Sequence, residues 1–228
     1  MALEPLADGV WFTTAPVSFL GLELTSTMTV LRLGDGSLLV HSPVALTPER
    51  KSEVDSLGRV AHLYSPNTFH YLRLGEWSAA YPNARVHASR GLASKRRDLR
   101  IDRFHGDTEP DFAGAVDELP IDGFRLEESA LFYRPARTLV VADLVHNIGS
   151  SDHAWTRFYA RMMGFYDRVA VSRVIRLTAF DDRRAARRSV DAVCALPFDR
   201  IVVGHGAPIV TDAHRALEAA YAWLPHVE

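Results

Sequence analysis

Three short segments of the 228-residue sequence contain histidine and carboxylate side chains that could bind a metal ion. They are Ser65-Pro66-Asn67-Thr68-Phe69-His70, Ala142-Asp143-Leu144-Val145-His146-Asn147 and Gly204-His205-Gly206. Imidazole and carboxylate ligands together suit zinc, iron or manganese. A single histidine at a strand end is more often a hydrogen-bonded structural residue than a ligand. Only the joint placement of the three segments therefore predicts a metal site.

The elements around these segments explain how they could meet. Apolar runs predict a strand directly before each segment, at 60–65, 138–142 and 200–203. Loops at the carboxyl ends of strands are where α/β proteins usually place their binding sites. We therefore expect the three loops to lie at one edge of the fold.

The rest of the pattern predicts a mixed α/β protein. Alternating apolar residues predict an opening antiparallel meander, with strands at 9–14, 22–33 and 37–41. Thr47, Pro48 and Glu49 are typical of a helix N-terminus, and this helix is predicted to run to about Leu57. Further helices are predicted at 69–80, 155–163, 183–196 and 212–223, and further strands at 84–88, 116–119 and 129–133. This order predicts two sheets packed face to face with helices outside.

Composition limits the partners and the compartment. With 26 basic and 28 acidic residues the net charge is -2, which disfavours nucleic acid and anionic membranes as partners. The single cysteine, Cys194, cannot form an internal disulfide, and the first eight residues lack the features of an export signal. No apolar run approaches the length of a membrane span. We therefore expect a cytoplasmic protein.

The order of these features resembles the metallo-β-lactamase superfamily over nearly the whole chain. The resemblance includes Gly204-His205-Gly206 after an apolar strand, Asp143 at a strand end, and the loop after residues 60–65. Pro66-Asn67-Thr68-Phe69-His70 and Glu76-Trp77 are similar to a little-characterised bacterial branch, a domain of unknown function. The resemblance implies an α/β fold, a four-layer αββα sandwich, formed by a single domain of residues 1–228.

The resemblance also implies that part of the usual two-metal site is missing. In the superfamily the first loop usually reads His-x-His-x-Asp-His, and here Ser65, Asn67 and Phe69 replace its first three ligands. The first metal site is therefore expected to be lost, its third ligand falling near 122–124. His70, Asp143 and His205 remain from the second site. Two histidines and one carboxylate can hold a single zinc or Fe(II) ion with open positions.

Three functions are compatible with this ligand set. The leading hypothesis is a hydrolase with one divalent metal ion, zinc or iron, whose bound water attacks an unknown small-molecule substrate. A metal-free pseudoenzyme that serves as a binding or interaction protein is the alternative. An iron-dependent oxidoreductase is the third.

Two other residues and one segment are expected near the site or at a surface. Asn67 could be a neutral ligand or orient water, although asparagine after proline is more often structural. As a candidate ligand, His146 ranks below His70, Asp143 and His205. If the strand continued past Asp143, the His146 side chain would point to the opposite face from that of Asp143. The aromatic segment 155–166 is interpreted first as core or interface packing, which is compatible with a homodimer, and second as a pocket wall.

Overall fold

The computed structural model describes residues 2–225, so Met1 and residues 226–228 of the expected domain lie outside the described residues. The strands are β1 (Glu4–Ala7), β2 (Val10–Phe19), β3 (Leu22–Arg32), β4 (Leu38–His41), β5 (Val60–Tyr64), β6 (Arg85–Ala88), β7 (Arg103–Phe104), β8 (Val116–Pro120), β9 (Ser129–Tyr133), β10 (Thr138–Val140), β11 (His146–Ile148), β12 (Arg168–Ala170) and β13 (Arg200–Val202). The helices are α1 (Pro48–Leu57), α2 (Leu74–Ala80), α3 (Arg90–Lys95), α4 (Ala154–Met163), α5 (Arg173–Thr178), α6 (Arg183–Cys194) and α7 (Ala213–Tyr221), with a 3₁₀ turn at Pro110–Phe112. Within this part of the chain, no helix is both long enough and apolar enough to cross a bilayer.

The strands form two main sheets. The first has seven strands in the order β1-β2-β3-β4-β5-β6-β7, antiparallel up to β4 and parallel from β4 to β7. The second has four strands in the order β13-β10-β9-β8, in which only β10 and β13 are parallel. A separate ribbon pairs β11 with β12. The loops after β5, β10 and β13 carry the predicted site.

Three layers of buried side chains separate four layers of backbone. Residues from both sheets pack between them, including Leu39 and Tyr64 from the first sheet and Leu131 from the second. The outer face of the first sheet packs against α1, α2 and α3, where Trp77 is fully buried. The outer face of the second sheet packs against α6 and α7, which contribute Val190, Leu217 and others. The predicted αββα sandwich is therefore confirmed.

Several local predictions are also confirmed, because their signals are local. Helix α1 begins at Pro48 and ends at Leu57, and Thr47 caps it by accepting a hydrogen bond from the backbone N–H of Arg50. Strand β9 has the predicted bounds, and the other predicted strands have their counterparts in the sheets. The short elements β1, β7, α3, β11, β12 and α5 were not predicted. With two to six residues each, they are too short to show a periodic pattern.

Three predicted elements are wrong in their extent: the strand predicted at 9–14 runs on to Phe19, and the other two errors fall at the site. The helix predicted at 69–80 begins only at Leu74, because the Asn67 side chain accepts hydrogen bonds from the backbone N–H groups of Phe69 and His70 and holds the chain in a turn. The strand predicted to reach Ala142 ends at Val140. Beyond it, the backbone N–H groups of residues 142–144 turn toward the buried carboxylate of Glu128.

Candidate metal centre

His70, Asp143 and His205 come together at one end of the sandwich. Nε2 of His70 lies 3.5 Å from Oδ2 of Asp143, and Nε2 of His205 lies 3.5 Å from its Oδ1. One ligand atom from each residue lies within 4.8 Å of the other two. The three predicted ligands thus converge from three separate loops onto a single point.

Hydrogen bonds on the far side of each ring set the orientation of the two histidines. Nδ1 of His205 is 2.7 Å from the carbonyl oxygen of Thr25, which can only accept, so Nδ1 carries the hydrogen. In a neutral ring this leaves the lone pair on Nε2, facing Asp143. Nδ1 of His70 is 2.8 Å from Oγ of Ser42, a contact that allows the same tautomer. Metal-binding histidines are typically held in this way.

A second carboxylate, Glu128, holds the loop that carries Asp143. Glu128 accepts hydrogen bonds of 2.7 to 3.1 Å from the backbone N–H groups of Ala142, Asp143 and Leu144. The side-chain nitrogen of Asn67 donates both to Glu128, at 3.0 Å, and to Oδ2 of Asp143, at 2.8 Å. Asn67 therefore positions the ligand carboxylate. The only sequence signal for Glu128 was an acidic residue directly before a buried strand, too weak to single it out.

Two carboxylates and two histidines determine the electrostatics of the centre. Burial opposes ionisation of Asp143, but the charges and hydrogen bonds of His70 and His205 outweigh it and hold the pKa of Asp143 well below its usual value. Burial and the charge of Asp143 raise the pKa of Glu128 to about 7. Burial also opposes protonation of His205, yet its hydrogen bond to Asp143 raises its pKa. Among the ion pairs of residues 2–225, neither carboxylate has a lysine or arginine partner.

His146 lies beside this centre. The chain turns after Asp143, and β11 begins at His146, so the continuing strand that would have pointed His146 away does not form. Its ring centroid is 5.6 Å from that of His205, and its buried Nδ1 has no hydrogen-bond partner among the described residues. Burial lowers the pKa of His146 to about 4, so the ring is neutral at physiological pH.

A cavity of about 490 Å³ leads to the three ligands. Besides them and His146, its wall is mainly apolar, and among the described lining residues Arg73 is the one other charged side chain. Phe69, at the position where the resemblance expects a carboxylate, lines the cavity and is half exposed. Tyr159 and Phe165 of the aromatic segment also line it. The wall further includes Val17, Phe19, Leu24, Leu72, Ile148 and Ile175.

The Asn67→Ala variant is expected to lose about 3 kcal/mol of unfolding free energy, since four hydrogen bonds, two of them to buried carboxylates, disappear with the amide. Urea denaturation measures the change. Asn83→Ala is the matched control, because Asn83 also follows a proline but is exposed, and such surface changes stay within about 0.5 kcal/mol. Equal losses in the two variants would contradict the role given to Asn67.

Comparison with solved structures identifies the fold. A metallo-β-lactamase from Pontibacter korlensis superposes with a TM-score of 0.65 at 11% identity, covering 96% of this chain and 97% of that one. FIM-1 from Pseudomonas aeruginosa, in its mono-zinc form, gives a TM-score of 0.64 at 11% identity over 97% and 93%. An enzyme from Hirschia baltica gives 0.61 at 9% identity over 99% and 98%. The chain therefore has the metallo-β-lactamase fold, as the resemblance implied.

Sequence comparison adds no closer relative. No family model matches the chain, and no curated protein matches it. The resemblance to one particular bacterial branch therefore stays an expectation. Since identities near one in ten show the fold alone, the chemistry has to be argued from the site.

Proposed function

We propose that this protein is a metal-dependent hydrolase that holds one divalent ion with His70, Asp143 and His205 and acts on a small molecule. The observation that carries the proposal is the convergence of two inward-facing imidazole Nε2 atoms on both oxygens of one buried carboxylate. The donor set fits zinc or iron, because both accept two imidazoles and a carboxylate. No lysine or arginine among the described residues pairs with Asp143 or Glu128, so a cation would not compete with one there.

The chain's own residues would prepare the site for hydrolysis. A bound ion would supply Lewis acidity and lower the pKa of a coordinated water. Ser42 and the carbonyl of Thr25 hold the histidine rings, while Asn67 and Glu128 hold Asp143, so the ligands are positioned before any ion arrives. The apolar cavity wall would orient a substrate of low polarity and keep its reactive group near the centre.

Metal content and hydrolysis, measured together, test this function. Protein purified without chelator is analysed for zinc and iron and assayed on uncharged p-nitrophenyl esters, before and after removal of metal with a chelator. Bound zinc together with chelator-sensitive hydrolysis supports the proposal. Stoichiometric iron without hydrolysis favours the oxidoreductase, and neither metal above trace favours the metal-free binding protein. Either of the latter two results overturns it.

A further inference from the structure

A second group of potential metal ligands lies outside the cavity that leads to the first centre. His62 on β5, His87 on β6 and Glu109, just before the 3₁₀ turn, each offer a ligand atom within 4.8 Å of the others. Their exposed fractions are only 0%, 2% and 7%. None of the three lines the cavity described above. The sequence analysis did not identify this group, because it depends on how two neighbouring strands are aligned.

Strand register places the two histidines on one face of the first sheet. His87 pairs with Tyr64 across the parallel strands β5 and β6, and His62 precedes Tyr64 by two residues. Residues two apart in a strand point to the same side. As a result, Nδ1 of His62 is 2.9 Å from Nε2 of His87. The Phe112 ring covers both imidazoles, with centroids 5.3 and 5.2 Å away.

One proposed ligand atom of this group is buried and lacks a hydrogen-bond partner among the described residues: Oε2 of Glu109. A buried polar atom left unpaired costs about 1–3 kcal/mol, so such atoms usually have a partner. Arg85 binds the other oxygen of Glu109 at 2.7 Å, while Oε2 lies 4.0 Å from Nε2 of His87 and 3.7 Å from Nε of Arg103, beyond hydrogen-bond distance of both. The unpaired Oε2 of Glu109 indicates that a partner is missing from the cluster.

The contact of His62 with Asp111 suggests which atoms would bind an ion. Nε2 of His62 lies 3.4 Å from a carboxylate oxygen of Asp111. If that nitrogen carries the hydrogen, the lone pair of His62 is on Nδ1, next to Nε2 of His87. A carboxylate behind a ligand histidine is a common arrangement at metal sites. Burial lowers the pKa of His62, and that of His87 to about 3, so both rings are neutral at physiological pH.

We propose that His62, His87 and Glu109 form a second site for a divalent cation of the zinc type, with Nδ1 of His62, Nε2 of His87 and Oε2 of Glu109 as ligands. Two imidazoles and a carboxylate are a ligand set that zinc accepts. Two arginines oppose the cation: Arg85 pairs with Glu109 and Asp111, and Nε of Arg103 is 3.7 Å from Oε2 of Glu109. This site therefore binds more weakly than the first, where no arginine faces the carboxylates.

Zinc titration of the metal-free full-length protein by calorimetry at pH 7.5 tests the proposal. The wild type is expected to bind two equivalents of zinc, one tightly at the first centre and one more weakly at the second site. His87→Gln is expected to lose the weaker one. Arg103→Gln, a change at an exposed position, is expected to tighten the weaker one at least about threefold, because a positive charge leaves its neighbourhood. A merely structural role for the cluster would not produce that tightening.

His105→Gln is the matched control, since His105 also has a mostly buried ring, which binds the Ser65 carbonyl at 2.9 Å rather than the cluster. It should retain both equivalents. Unchanged uptake in His87→Gln, or unchanged affinity in Arg103→Gln, overturns the second site. Arg103→Gln decides the question even if His87→Gln fails to fold. The wild type could instead bind a single equivalent of zinc. If His87→Gln loses that equivalent and His205→Ala retains it, the second site is supported and the first centre is contradicted.

Discussion

The His205→Ala variant is expected to bind the tighter zinc equivalent at least about 100-fold more weakly than the wild type, and to lose ester hydrolysis with it. On the proposed function His205 is one of three ligands, and an alanine would leave only His70 and Asp143 of that set to hold the ion. Loss of an outer-shell partner alone typically costs about 10- to 100-fold in metal affinity, so loss of a ligand should cost more. Calorimetric titration and elemental analysis after dialysis measure the effect.

His214→Ala is the control for this experiment. His214 lies on α7, where its ring binds the carbonyl oxygen of Cys194 and lies 3.6 Å from Glu218, so it takes no part in the centre. The variant should keep both zinc and hydrolysis. If the two variants retain zinc equally, the ligand assignment is wrong.

The sequence predicted the scaffold and the convergence of His70, Asp143 and His205, because strands and helix caps have local signals and the resemblance implied the fold. Helix α1 could be placed from Thr47 and Pro48 alone, since a cap and an N-terminal proline are read within a few residues. Each of these residues follows an apolar strand. Asp143 and His205 follow the parallel neighbours β10 and β13 of the second sheet, and the face-to-face packing of the two sheets brings them to His70, which follows β5 of the first. The placement of His70, Asp143 and His205 therefore needed only strand positions and the expected fold.

The sequence could not predict the residues that support the ligands, because their partners are distant in the chain. Glu128 acts on Asp143 from 15 residues away, and Asn67 reaches the same carboxylate from 76 residues away. His62 and His87 look like isolated histidines in two apolar strands until the register of β5 and β6 is known. Both cases depend on tertiary contacts rather than on a periodic pattern.

The same limit explains why helix α2 was predicted too long. The apolar spacing of residues 69–80 is compatible with a helix, but the side chain of Asn67 offers the first two backbone N–H groups an alternative acceptor. This turn brings His70 back toward Asp143 and lets Phe69 line the cavity. The local departure from the helical pattern is therefore part of how the site is built.

The shape and polarity of the cavity lead to a prediction about the ligand. On the proposed function, hydrolysis of p-nitrophenyl esters should become about fourfold more efficient with each methylene added to the acyl chain, until the cavity is filled. Burying one methylene contributes about 0.8 kcal/mol, which corresponds to a factor of this size. A cavity of about 490 Å³ with apolar walls has room for a medium-length chain. Chain-length dependence of kcat/KM from acetate to octanoate measures the effect.

Leu24→Glu should abolish the rise of kcat/KM with acyl chain length. The substitution places a carboxylate on the apolar cavity wall and leaves the three proposed metal ligands intact. Leu20→Glu is the matched control: it adds the same charge to the same hairpin at a position that is 73% exposed and outside the described lining. We expect the uncharged fluorescent probe N-phenylnaphthylamine to bind Leu24→Glu at least about tenfold more weakly than the wild type, with zinc content unchanged. The probe assay is independent of catalysis. Equal probe affinity in the two glutamate variants would mean that the cavity does not select apolar ligands.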